Sequence, residues 1–245
     1  MHARSLAGGP SGVVGALTEG FGSSYVTEIV RHFDAALAAY DLQLMLCSTR
    51  FRGPEASYVA HISSGLVDGL LILCPTSLGS YLGDLQPRGF PHVLVDVEDQ
   101  PGGSAAIAFD NGGGIAAAVH HLLSLGHRRF GFVTGNLRFS AARERLDAFT
   151  RTLPEAGIGV ADGLIIEGDW TEASGHAAGM RLLSSSARPT AVHPSLTTVR
   201  QPLREIGRTA ARLLHEQITH AATAPARARL GAELVVREST APAPA

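Results

Sequence analysis

The chain has 245 residues, 45% hydrophobic and 17% charged, enough apolar material for a full α/β core and too much for a disordered polypeptide. Its formal net charge of −2, with all 20 basic residues arginine, excludes a global basic field that would draw a polyanion to the surface. No apolar run approaches a membrane span and residues 1–12 hold no apolar signal core, so a soluble, cytoplasmic protein with no membrane contact is expected.

Strand-like and helix-like patterns alternate through the first half. A strand at 13–17 is followed by a helix from about 23 to 40, a strand at 42–47, a helix around 55–64, and strands at 69–74 and 92–95. A strand at 106–109 then leads into a helix that begins at Asn111. Strands separated by helices of this length imply a mainly parallel sheet with helices on both faces, an α/β fold. Cys47 and Cys74 close two of the apolar runs and lie too far apart for a redox or metal motif; free thiols at such strand ends suit a reducing compartment.

In the helix after Asn111, Ala116, Val119, His120, Leu122 and Leu123 recur at helical spacing, and Gly126 stands where a left-handed cap is wanted. A short apolar strand at 130–134, a polar Arg-rich loop, a helix at 140–155, a strand at 164–167, a helix at 172–185 and a strand stub at 190–192 follow. In open α/β sheets ligands bind outside the carboxyl ends of the strands, so 134–145 is the first place to look for a site. From 197 to 200 the chain reads as extended. Pro202 can start a helix, and Leu203, Ile206, Ala210, Leu213 and Leu214 form one apolar face. A polar Ala/Pro/Arg-rich connector at 221–231 precedes the last strand at 233–237, and 239–245 reads as a disordered tail.

Catalytic and metal chemistry find no support. None of the eleven histidines falls in a metal-binding spacing, no Gly-x-Ser-x-Gly elbow occurs, and scattered carboxylates define no acid/base pair. No cofactor is implied either. Residues 110–114, DNGGG, open a helix after a strand but lack the dinucleotide-binding spacing and a phosphate-binding lysine; Asp110 or Asn111 reads as the helix N-cap, bordering a pocket. The excess of arginine between Arg128 and Arg151 reads as a solvated helix face with Glu144 and Asp147 as near neighbours.

Five stretches, in this order, carry a resemblance: LVDGLLIL at 66–73, HLLSLGHRRFGFVTG at 121–135, SAARERLDAF at 140–149, HPSLTTVRQPLREIGRTAARLL at 193–214 and ELVVREST at 233–240. Together they resemble the effector-binding domain of the LacI/GalR family of bacterial transcription regulators. The resemblance implies a two-lobed periplasmic-binding-protein-like fold. Its first lobe is expected at 12–126 plus 193–222 and its second at 127–192 plus 230–238, with 1–11 as a linker remnant. It also implies a small sugar-like or nucleoside-like effector that closes the lobes about a hinge, and a homodimer through first-lobe helices. Operator DNA is expected only through a helix-turn-helix headpiece absent from this chain.

By the same resemblance Arg145 grips ligand oxygens with its planar fork, Trp170 stacks on a sugar or base, and Tyr25, Asp96 and Asp110 border the ligand. Each has a plainer reading: a surface helix Arg, a packing Trp, a packing Tyr, a turn Asp and an N-cap. Ser23 and Ser24 beside Tyr25 are expected to cap their helix. The chain departs from the family at 192/193, where about 30 residues or more, roughly one βαβ unit, are absent, leaving the second lobe incomplete. A stand-alone sugar-binding protein, a sugar- or nucleotide-modifying α/β enzyme and a degraded regulator fragment remain as alternatives to the sensor.

Overall fold

The computed structural model describes residues 9–49, 55–73, 78–97, 104–160, 163–184, 197–220 and 226–243. The chain divides into two compact units, Met1–Ala108 with Pro202–Leu230 and Phe109–Gln201 with Gly231–Ala245.

The first unit is built on β1 (Val13–Thr18), β2 (Gln43–Ser48), β3 (Gly69–Leu73), β4 (His92–Val95), β5 (Ala105–Phe109) and β9 (Arg227–Leu230), in the order β2-β1-β3-β4-β5-β9. The pairs β1–β2, β1–β3, β3–β4 and β4–β5 are parallel. All of β3 and β4 is buried, which is why both read as unbroken apolar runs rather than alternating ones. Strand order reverses between β1 and β3, the switch point at which such sheets open a crevice. Gly15 leaves room for the side chain of Leu70, its partner on β3, since a Cβ there would lie 2.6 Å from Leu70 Cδ2.

Helix α1 (Ser24–Leu37) buries Val26, Ile29, Val30, Phe33 and Leu37 at helical spacing and packs on α7 (Leu203–Ile218), which buries Ile206, Gly207, Ala210, Ala211, Leu213 and Leu214. Gly207 permits a close approach of backbones, for a Cβ there would lie 2.6 Å from the Phe33 amide nitrogen. Ser23 is the N-cap residue of α1 but makes no side-chain capping bond. The expected cap is not formed; the Ser23 carbonyl instead accepts from the Thr27 amide and hydroxyl, each at 3.0 Å. Helices α2 (Glu55–Ile62) and α3 (Leu78–Leu85) complete the unit. Helix α3 escapes a sequence reading because its segment, LGSYLGDL, carries two glycines.

The second unit holds α4 (Asn111–Ser124), β6 (Phe132–Thr134), α5 (Ser140–Glu155), β7 (Ile165–Glu167), α6 (Glu172–Ser184), β8 (Thr198–Arg200) and β10 (Glu233–Val235). Strand β6 pairs with β7 in parallel, and β8 pairs with β10 antiparallel. Helix α4, expected in the first lobe, packs on α5, β8 and β10. Val119, Phe149 and Leu153 form the core of that contact, and the Phe149 ring stacks on Phe132 with centroids 4.5 Å apart.

Two segments differ from the sequence reading. The connector at 221–231 contains β9 at the sheet edge beside β5, with the Ala106 amide donating to the Ala226 carbonyl at 3.1 Å; alternating exposure of Arg227, Ala228, Arg229 and Leu230 marks an edge strand. The tail read as disordered is tied down as far as Ala243. His121 and Thr240 side chains meet at 2.9 Å and the Ala243 amide donates to the Leu125 carbonyl at 2.8 Å. The strand stub at 190–192, the junction at 192/193, Cys74 and most of the linker remnant lie outside the described residues.

Candidate functional site

Parallel pairing of β6 with β7 sets Thr134 opposite Glu167, so the loops after both strands leave from one edge of the sheet. The first loop runs through Gly135 into α5, which carries Arg145 near its start. The second, Gly168-Asp169-Trp170-Thr171, leads into α6.

The second loop is a tightly bonded turn. The Asp169 carboxylate accepts from the Thr171 amide at 2.9 Å and from its hydroxyl at 2.6 Å, bonds that hold the carboxyl below its ordinary pKa. The Asp169 amide donates to the Ser174 hydroxyl at 3.1 Å, and Thr171 Oγ1 accepts from the Ser174 amide at 3.1 Å, capping α6. Trp170 between them is held at φ 70°, a left-handed conformation rare for so bulky a residue, and the residue is 54% exposed. Two glycines make room. A Cβ on Gly168 would lie 2.7 Å from the Thr134 carbonyl oxygen, and one on Gly135 would fall inside the Trp170 ring.

Against that ring stands Arg145, its guanidinium carbon 5.4 Å from the indole centroid, within cation–π range. Arg145 Nε donates to Asn111 Oδ1 at 2.8 Å, and Asn111 Nδ2 donates to Glu144 Oε2 at 3.1 Å. Asn111 is only 6% exposed, so the amide that fixes the guanidinium is itself fixed by burial. Arg145 Nη1 and Nη2 make no hydrogen bond or ion pair among the described residues. The arrangement is a half-buried fork with its inner edge pinned, an aromatic plane beside it and two outer donors available.

Asp110 is the N-cap of α4, its carboxylate accepting from the Gly113 amide at 3.0 Å; this is the duty foreseen for Asp110 or Asn111, and it frees Asn111 to face α5. Tyr25 and Asp96 belong to the first unit. Tyr25 is half-buried in the first turn of α1, and Asp96 is half-buried just past β4 at φ 65°, its amide donating to the Ile107 carbonyl at 2.9 Å. Among the candidate residues, the structure thus brings Arg145 and Trp170 into contact and sets Asp110 one residue before the amide that holds Arg145.

The Arg-rich stretch is solvated as expected except at Arg145, which is half-buried; the exposed Arg143 also braces the loop before α5, its Nη1 donating to the Leu137 and Arg138 carbonyls at 2.6 and 2.9 Å. Sequence reasoning named Asn111 only as an alternative N-cap bordering a pocket, and missed Gly135, Asp169 and Thr171. Only the Asp-x-Thr pattern around Trp170 carried a usable signal, that of an Asx turn before a helix. Among the described residues no group of three or more His, Cys, Asp or Glu could hold a metal ion, and no helix is long and apolar enough to cross a membrane.

Comparison with known proteins gives a consistent set of likenesses. A family model described as a periplasmic binding protein-like domain matches residues 119–193 and 185–240. The HTH-type transcriptional repressor PurR of Yersinia pestis (strain Pestoides F) is 27% identical over 286 aligned positions, covering 99% of this chain and 84% of the relative. Among solved structures, the complex of the transcriptional regulator CelR with cellobiose superposes with a TM-score of 0.82 at 26% identity, over 94% of this chain and 85% of the other. The Lac repressor dimer bound to operator and the anti-inducer ONPF gives 0.83 at 23% identity, over 98% of each chain. A LacI family regulator from Enterococcus faecium with bound ribose gives 0.81 at 22% identity, over 95% of this chain and 100% of the other.

Proposed function

The chain belongs to the LacI/GalR family of transcriptional regulators, as its periplasmic-binding-like effector domain, and from that premise we propose that Arg145 and Trp170 hold a small sugar-like or nucleoside-like effector. The observation that carries this reading is the Arg145 fork: Nε pinned by Asn111, the plane set beside Trp170, and both outer nitrogens without a bond among the described residues. Two parallel N–H donors match a pair of ligand oxygens, and an exposed indole matches the apolar face of a sugar ring or a flat base. The CelR relative holds cellobiose and the E. faecium regulator holds ribose, which supports a hydroxyl-rich ligand here. Tyr25, Asp96 and Asp110 are proposed as further ligand contacts.

Control of transcription follows by population shift. An effector that binds one conformation of the chain more tightly than another biases the equilibrium by that difference in affinity, and by no more. The proposal includes a homodimer, supported by the dimeric Lac repressor, with operator contact made by a headpiece of the family's kind rather than by the residues described.

Titration of Trp170 emission with cellobiose, ribose and purine nucleosides tests the reading. One class is expected to change the emission saturably, and Arg145→Ala to weaken that ligand by about 1.5–3 kcal/mol, the worth of hydrogen bonds to a charged group. Affinity unchanged in Arg145→Ala overturns it.

A further inference from the structure

Beside the Arg145 fork a cavity of about 370 Å³ opens entirely within the second unit. Asn111, Arg145, His121, Gln201 and three threonines contribute polar atoms, while Ile115, Ala118 and Leu122 of α4 face Val199 and Leu234 of the β8–β10 ribbon. From Asn111 to Leu122 the lining follows three turns of helix, about 16 Å. All five apolar residues are half-buried. An apolar wall within a mixed lining, beside an available guanidinium, suits a small molecule that carries both polar and apolar groups, and the volume lies in the usual range for such a pocket.

This chain is shorter than its relatives in the unit that holds the cavity. Alignment with PurR runs over 286 positions while this chain contributes 99% of its 245 residues, so the relative carries a few tens of residues more within the aligned span. The two matched pieces of the family model meet at 185–193, in the same unit as the cavity.

We propose that this cavity is a subsite for an apolar substituent of the effector, an aromatic or branched aliphatic group joined to the hydroxyl-bearing part held by Arg145 and Trp170. The inference rests on the sugar- or nucleoside-like reading of that pair. It makes the effector an amphiphilic glycoside rather than a bare monosaccharide. Arg145 lines the cavity and also meets Trp170, and Asn111, which holds Arg145, lines the cavity too, so the fork is common to both places.

The test uses the intact chain and three probes: methyl β-D-glucopyranoside, phenyl β-D-glucopyranoside and toluene, read by calorimetry and by thermal unfolding. The phenyl glycoside is expected to bind about tenfold or more tightly than the methyl one, the order of gain for burying a ring. Ala118→Leu, which fills the cavity from a helix position that favours Leu, is expected to abolish that ratio without weakening the methyl glycoside. Toluene, which has no oxygen for Arg145, is expected to raise the unfolding midpoint of the unmodified chain and not of Ala118→Leu. Equal affinity for the two glycosides overturns the subsite and leaves the Arg145–Trp170 reading standing. Absence of a toluene shift in the unmodified chain overturns the subsite whatever the sugars do. A toluene shift with neither glycoside bound supports the cavity and counts against glucoside recognition at the fork.

Discussion

Trp170 lays its indole in the space that a side chain at Gly135 would occupy. The loops after β6 and β7 are matched to each other at that point, and the conformation of the single tryptophan depends on a glycine 35 positions earlier in the chain. Gly135→Ala is therefore expected to displace the ring outward. Because Trp170 is already 54% exposed, the stability cost is expected to stay below about 1 kcal/mol, while the emission spectrum changes and effector affinity falls about tenfold or more. Fluorescence and unfolding on the same sample check this, and unchanged emission contradicts it.

Asn111 holds Arg145 from a buried position. Asn111→Leu deprives Arg145 Nε of its acceptor and Glu144 of one donor, with an expected loss of about 1–3 kcal/mol in stability. Asn111→Asp is expected to retain stability better by pairing with the guanidinium, yet to weaken the effector, since a carboxylate ligand in place competes for the fork. Denaturation and binding measured on both variants separate the two effects.

Gly207 sits where α7 meets the Phe33 backbone of α1. On an open helix Ala in place of Gly stabilises by about 1 kcal/mol. Here Gly207→Ala is expected to destabilise by about 1–3 kcal/mol, because the atoms in its way are backbone and cannot swing aside. A rise in the unfolding midpoint contradicts the close packing of α1 on α7.

His92 is 5% exposed, its Nδ1 at 2.7 Å from the Phe90 carbonyl and its Nε2 at 2.7 Å from the Ser104 hydroxyl. Burial pushes its pKa below the ordinary histidine value, so the unfolded chain binds the proton more readily than the folded one. The stability it contributes is full above the unfolded pKa, about 6.5, and is lost as pH falls from there through the folded value. Unfolding free energy is expected to decline below about pH 6.5, and His92→Gln to flatten that part of the profile.

Most of the α/β scaffold is legible in the sequence because its signals are local. Unbroken runs such as GLLIL in β3 and the apolar stripe of α1 report burial directly. Elements whose formation depends on distant partners are not legible. Strand β9 reads as an Arg-rich connector until β5 is beside it, and α3 hides behind its glycines. The site divides in the same way. Arg145 and Trp170 stand out by motif. Asn111 and Gly135 act only through residues 34 and 35 positions away, a distance over which composition and periodicity carry no signal.

Thermal unfolding of the intact chain with and without cellobiose, ribose and purine nucleosides, compared with Arg145→Ala, is the most direct test that Arg145 and Trp170 form an effector site. A ligand at 100 times its Kd adds about 2.7 kcal/mol, which moves a midpoint by several degrees in a chain of this size. The expected result is one cooperative transition that shifts upward with one ligand class and loses the shift in Arg145→Ala. A midpoint indifferent to every ligand, or an equal shift in Arg145→Ala, contradicts the assignment.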